Sequence, residues 1–260
     1  MPASDAPSSL DLLRANLGAV YERIEAARTR SPHRAPRVTL IAVTKAAPPW
    51  AFDALRALGE KDVGENRVQD AASKRESAPP GLTWHGIGHL QTNKVKKAVR
   101  TFDVFHALDS VPLAGVLAES LAATGRVWPV YAQVNAAHDP AKGGVAPEDA
   151  LRFLEAIAAF PSLDVVGLMT MAKEEDVGER ARPCFATLRQ VRDEAVRRGI
   201  GRTPPTGLSM GMSEDFEVAV EEGATAVRVG RALWGGLAPK SPVATAPPPR
   251  TVPDPRDPRS

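Results

Sequence analysis

Apolar positions along the chain switch repeatedly between two periods. Leu10, Leu13, Leu17, Val20, Ile24 and Ala27 recur three or four residues apart, which predicts a helix over 9–29 with one buried face. Ser8, three residues ahead of Asp11, supplies a capping-box start. Beyond that helix, short β-branched runs at 37–45, 61–65, 82–87, 103–107, 127–136, 163–171, 206–210 and 226–230 read as strands. Between them, 49–58, 67–77, 92–101, 111–124, 147–159, 175–198 and 214–222 carry helical spacing. Gly59, Gly125, Gly199 and Gly223 fall where helices of this kind stop.

Strands that alternate with helices imply a parallel sheet with right-handed crossovers. Eight such units in about 230 residues fit a single TIM (β/α)8 barrel with an extra N-terminal helix better than a doubly wound open sheet. A flavodoxin-like sheet is the alternative, because the short strands at 61–65 and 206–210 are both needed for closure.

Composition trims the picture at the ends. Residues 238–260 hold eight of the 24 prolines and almost no large apolar side chain, so they read as a disordered Pro-rich tail. Residues 1–7 read the same way, leaving 8–237 as the folded unit. With 33 basic and 31 acidic residues the net charge is +2, which gives no field for holding nucleic acid or a membrane surface. One cysteine, Cys184, excludes an intrachain disulfide and suits a reducing cytoplasm. No secretory signal opens the sequence, and no apolar run approaches the ~18 residues of a membrane span.

In such a barrel the chemistry sits at the C-terminal ends of the strands. Lys45 closes the apolar run Val38–Thr44, where desolvation would free its amine for Schiff-base chemistry; a lysine snorkelling into solvent is the plainer reading. Ser209-Met210-Gly211-Met212-Ser213 and Val229-Gly230-Arg231 follow the last two strands, the usual place for a phosphate cup in this architecture, though tight turns alone also want Gly211 and Gly230. Arg228 points to the same side as Gly230 and needs an acceptor, either an internal carboxylate or a ligand nitrogen. His85 and His89 have no third ligand, so no metal is expected. Lys94, Lys96, Lys97 and Arg100 read as the solvated face of an amphipathic helix, Cys184 as a core residue, and 138–144 as a mobile loop.

Together these residues resemble the pyridoxal phosphate homeostasis proteins (the YggS/PROSC type), which are similar to the barrel domain of alanine racemase. The resemblance is carried by AVTK at 42–45, GENRVQD at 64–70, WHGIGHLQTNK at 84–94, GLM at 167–169, LSMGMSEDFEVAVEEGAT at 208–225 and VRVGRALWG at 227–235. It implies pyridoxal 5′-phosphate (PLP) held as a Schiff base on Lys45, with Asn66 nearby. Ser209, Gly211, Ser213 and Gly230 would form the phosphate cup, and Arg228 would face the pyridine nitrogen. Gly86, His89, Lys142-Gly143-Gly144 and Arg231 depart from the family's usual residues.

The expected function is a cytoplasmic, monomeric carrier that holds, buffers or delivers PLP, with PLP-dependent apo-enzymes as transient partners. A weak PLP-dependent racemase or lyase is the alternative. It is disfavoured because an arginine partner leaves the ring nitrogen unprotonated, and because neither Tyr21 nor Tyr131 ends a strand to serve as a second base.

Overall fold

The computed structural model describes residues 8–122 and 124–237. The expected segments 1–7 and 238–260 lie outside the described residues. The first helix, α1 (Ser9–Arg30), starts where the Ser8 hydroxyl accepts the Asp11 N–H, and it buries Leu13, Leu17, Val20, Ile24 and Ala27. Then follow β1 (Thr39–Val43), α2 (Ala51–Ala57), β2 (Asp62–Glu65), α3 (Val68–Ser77), β3 (Thr83–Gly86), α4 (Val95–Thr101), β4 (Val104–Leu108) and α5 (Val111–Ala122). The second half comprises β5 (Trp128–Gln133), α6 (Ala150–Ile157), β6 (Leu163–Met169), α7 (Arg182–Arg197), β7 (Gly207–Ser209), α8 (Phe216–Glu221), β8 (Ala226–Val229) and α9 (Arg231–Trp234).

All neighbouring strands are parallel, and β8 pairs with β1 through Thr39↔Ala226 to Ala42↔Val229. That pairing closes the sheet into a TIM barrel and removes the open-sheet alternative. The seam is braced outside by α1, whose Asn16 Nδ2 donates to the carbonyls of Leu233 and Gly235 at 2.9 and 3.1 Å. Trp84, Trp128, Phe105, Phe185 and Phe216 are fully buried, anchoring the layer around the barrel. The strand β7 is only three residues long. It can pair because Gly167 and Gly207 let the β6 and β7 backbones approach: a Cβ on Gly167 would lie 2.6 Å from the Gly207 Cα.

Several strands are shorter than their apolar runs, β1 ending at Val43 and β5 at Gln133. The surplus residues turn away from the sheet to build the mouth of the barrel. The four-residue α9 falls inside a stretch with no predicted helix, too short for periodicity to mark. Val95, Ala98, Val99 and Phe102 are buried, as the amphipathic reading of that helix requires, and so is Cys184. Gly86 is also explained, since a Cβ there would meet the Phe102 ring at 2.7 Å. Among the described residues no helix is long and apolar enough to cross a membrane.

Candidate functional site

The C-terminal mouth contains a cavity of about 410 Å³, a size usual for small-molecule sites. Lys45, Asn66, Ser213, Arg228 and Gly230 all line it, with Val43, Ile87, Met171 and Met212 as apolar walls and Glu174 and Arg231 at the rim. Residues of β1 and β8 and of the turns after β1, β2, β7 and β8 thus converge, although up to 185 positions separate Lys45 from Gly230.

Lys45 stands in a turn beyond β1 rather than at its end, and its side chain is exposed. The desolvation expected from an apolar strand end is therefore not provided, because the strand stops where Val43 finishes its pairing with Gly64. The turn itself is firmly held. The Thr44 hydroxyl donates to the buried Glu65 carboxylate at 2.6 Å, and Lys74 Nζ donates to that carboxylate at 2.6 Å and to the Thr44 carbonyl at 2.8 Å. On the other side, Trp234 Nε1 donates to the Val43 carbonyl at 2.7 Å. A buried carboxylate needs this kind of charged and neutral donor set, and here meeting that need fixes the backbone immediately before Lys45. Lys74 and Trp234 carried no signal in sequence, because their partners lie on other elements.

Asn66 occupies the turn after β2, and its backbone lies against Gly88 after β3. A Cβ on Gly88 would come within 2.9 Å of the Asn66 Cα, so only glycine lets these two turns nest. Gly88→Ala is expected to displace the Asn66 turn, cost about 1–3 kcal/mol and weaken ligand retention. Thermal melting together with ligand titration checks both effects.

Arg228 is buried, with 4 % of its surface exposed. Its Nη1 donates to the Ser209 carbonyl and hydroxyl, each at 2.8 Å, and its Nη2 to the Thr170 carbonyl at 2.8 Å. Among the described residues no carboxylate bonds to it. Burial pulls the guanidinium down to about 10, with Asp215 opposing that shift through space. Its internal partners are neutral rather than the carboxylate that sequence offered as one alternative, and a cationic group with unspent donor capacity borders the cavity.

Ser213 Oγ accepts the N–H groups of Gly230 and Ala232, each at 3.3 Å, at the start of α9. These two bonds seat the Ser213 hydroxyl on the cavity wall beside Gly230. Gly230 itself is less constrained, since an added Cβ would only touch Val43 at 3.4 Å. Ser209 and Gly211 depart from their expected places on that wall. The Ser209 hydroxyl is fully buried between Arg228 and His106 Nδ1, because β7 turns it into the barrel. Gly211, at φ +92°, presses against α8, where a Cβ would lie 2.6 Å from that of Ala219.

His85 points down the barrel, bonding Asp62 and His106, and His89 is exposed 3.5 Å from the Asp109 carboxylate; neither lines the cavity. The 138–144 loop is tied rather than loose: Gln133 Nε2 donates to the Gly143 carbonyl at 2.7 Å, and Lys142 Nζ to that of Ala172 at 2.9 Å. Arg231 is exposed and paired with Glu214 at 2.9 Å.

Residues 15–238 match the family described as alanine racemase, N-terminal domain. A pyridoxal phosphate homeostasis protein of Aquifex aeolicus is 40 % identical over 220 residues, spanning 84 % of this chain and 96 % of that protein. The chain belongs to the pyridoxal phosphate homeostasis protein family. The family member of Pseudomonas aeruginosa is 37 % identical, over 85 % of this chain and 94 % of its own. Among solved structures, PipY of Synechococcus elongatus with PLP bound aligns at a TM-score of 0.72 and 37 % identity, covering 82 % of this chain and 99 % of PipY. Alanine racemase of Clostridium difficile aligns at 0.66 with 14 % identity and 56 % of its length, a likeness of fold alone.

Proposed function

We propose that this chain binds PLP in the strand-end cavity, attached to Lys45, and holds, buffers or delivers it to apo-enzymes. The observation that carries this reading is Arg228: a buried guanidinium bonded only to neutral acceptors, facing a cavity that also presents an amine and the Ser213 hydroxyl. The residues fit the cofactor's chemistry. Lys45 supplies the amine for its aldehyde, and the Ser213 hydroxyl beside the Gly230 turn takes its phosphate. Arg228 donates to its ring nitrogen, and Val43, Ile87, Met171 and Met212 flank its ring. Ser209 and Gly211 serve from behind, by seating Arg228 and the turn. The PLP bound to PipY supports the assignment.

When bound, PLP offers an electron sink, whose strength depends on the partner of its nitrogen. Arg228 stays a hydrogen-bond donor at neutral pH and does not hand over a proton readily, which favours storage over turnover. No tyrosine lines the cavity to act opposite Lys45; Tyr21 bonds Glu60, and Tyr131 stacks on His106. The lone buried thiol suits a reducing cytoplasm, and the dispersed exposed hydrophobics suit a monomer.

The test follows α-proton exchange of several L- and D-amino acids in deuterated water with PLP-loaded protein. Exchange no faster than with free PLP is expected. Turnover of about one per second, in the range of ordinary enzymes, that vanishes in Lys45→Ala would replace the carrier with a racemase or lyase.

A further inference from the structure

Four hydrogen bonds run through the barrel interior from one end to the other. Asp62 Oδ1 meets His85 Nε2 at 2.9 Å, His85 Nδ1 meets His106 Nε2 at 2.9 Å, and His106 Nδ1 meets Ser209 Oγ at 2.9 Å. Ser209 Oγ then meets Arg228 Nη1 at 2.8 Å. Asp62 opens β2 and lines a surface pocket beside Tyr21 and Arg37, at the N-terminal end of the strands. Arg228 lines the cavity at the opposite mouth, whereas His85, His106 and Ser209 do not touch that cavity.

The hydrogens in this chain can be assigned from its ends. A guanidinium has only donors, so Arg228 donates to the Ser209 hydroxyl. With Arg228 donating, the buried hydroxyl's own hydrogen has His106 Nδ1 as its acceptor, so a fully paired serine donates there. His106 therefore carries its hydrogen on Nε2 and donates to His85 Nδ1. His85 in turn carries its own on Nε2 and donates to the Asp62 carboxylate. All four bonds point the same way, from cation to carboxylate. Burial, aided by the neighbouring His85 and then by the Arg228 charge, holds His106 well below the ordinary histidine range and so neutral. The Tyr131 ring stacks on His106 with centroids 4.3 Å apart and fixes its plane.

We propose that Asp62, His85, His106 and Ser209 are positioning residues that form a directed relay, by which a carboxylate at the far end of the barrel holds Arg228 in place for the cofactor. The sense of the relay matters. If His106 carried its hydrogen on Nδ1, it would donate to Ser209 Oγ alongside Arg228 and leave the buried serine hydrogen with no acceptor. Arg228 and His106 would then share one oxygen whose own hydrogen is unpaired, and the guanidinium's anchor would weaken. Asp62 prevents this reversal because a carboxylate accepts only, locking His85 and through it His106.

Imidazole nitrogen–proton correlation spectra of cofactor-free protein read the tautomers directly, and PLP titration reads the consequence. Both histidines should carry hydrogen on Nε2. Asp62→Ala should shift His106 towards the Nδ1 form and weaken PLP affinity about three- to tenfold, the scale of one neutral hydrogen bond. Asp62→Asn, whose amide oxygen still accepts from His85, should restore both. A wild-type His106 protonated on Nδ1, or a tautomer unmoved in Asp62→Ala, overturns the relay. A moved tautomer with unchanged affinity overturns its role in positioning Arg228. The affinity arm rests on the proposed PLP site, whereas the tautomer arm does not: protein that fails to bind PLP refutes that site and leaves the apo spectra to decide the relay.

Discussion

Lys45→Ala protein should lose all covalently retained PLP while melting at the temperature of the wild type. Wild-type protein loaded with PLP should be yellow, and borohydride should fix the cofactor onto the peptide containing Lys45. The two expectations separate cleanly because the Lys45 side chain is exposed and makes no hydrogen bond or ion pair among the described residues, so its removal should cost within about 0.5 kcal/mol of stability. The turn that presents it is held by Thr44, Glu65, Lys74 and Trp234, none of which the substitution touches. Mass spectrometry of reduced digests, absorbance and thermal melts check the prediction. An adduct on another lysine, or none on Lys45 after loading, would place the attachment elsewhere.

Arg228→Met should nearly abolish non-covalent PLP retention and leave the cofactor-free fold almost as stable as before. Burying the guanidinium charge has a cost. Burial favours the neutral form and pulls the group down to about 10. At neutral pH it is charged in both folded and unfolded chains, so its burial opposes folding there. That opposition is relieved only as the pH rises through about 10, where the native state sheds the proton before the unfolded chain does. Met removes this cost but leaves the Ser209 and Thr170 carbonyls without their charged donor, and the two effects offset. A charge-assisted hydrogen bond to a ligand is worth about 1.5–3 kcal/mol, hence roughly a ten- to hundredfold loss of affinity. Equilibrium dialysis on a background of Lys45→Ala isolates that term. A drop in melting temperature of more than about 10 °C, several kcal/mol for a domain of this size, would instead make Arg228 a structural strut.

Much of the architecture could be read from the amino acids because each element repeats its own period. The α1 face, Leu13 to Ala27, recurs at helical spacing and is buried in that register. Apolar runs mark all eight strands, including β7, whose Gly207 is also its closest backbone approach. The same reading overextends β1 to Lys45, because an apolar run records what is buried and not where hydrogen-bonded pairing stops. It passes over α9, a single turn whose position is set by Ser213 and the β8 end rather than by periodicity.

For the site, sequence alone determined which residue types gather at the mouth: an amine after β1, glycine and serine after β7, arginine and glycine at β8. Strand order in a parallel barrel puts every strand end on one rim, so position along the chain translates into position in space. Direction within that rim was decided only by tertiary structure. Ser209 and Ser213 are four residues apart in one small-residue turn, yet one hydroxyl faces inward to His106, 103 positions away, and the other faces the cavity. His106 itself lay unremarked in an apolar strand, since a buried imidazole acquires meaning from partners on β3 and β7. Local pattern follows from a residue's sequence neighbours, but hydrogen-bond partners are chosen by the packing of distant elements.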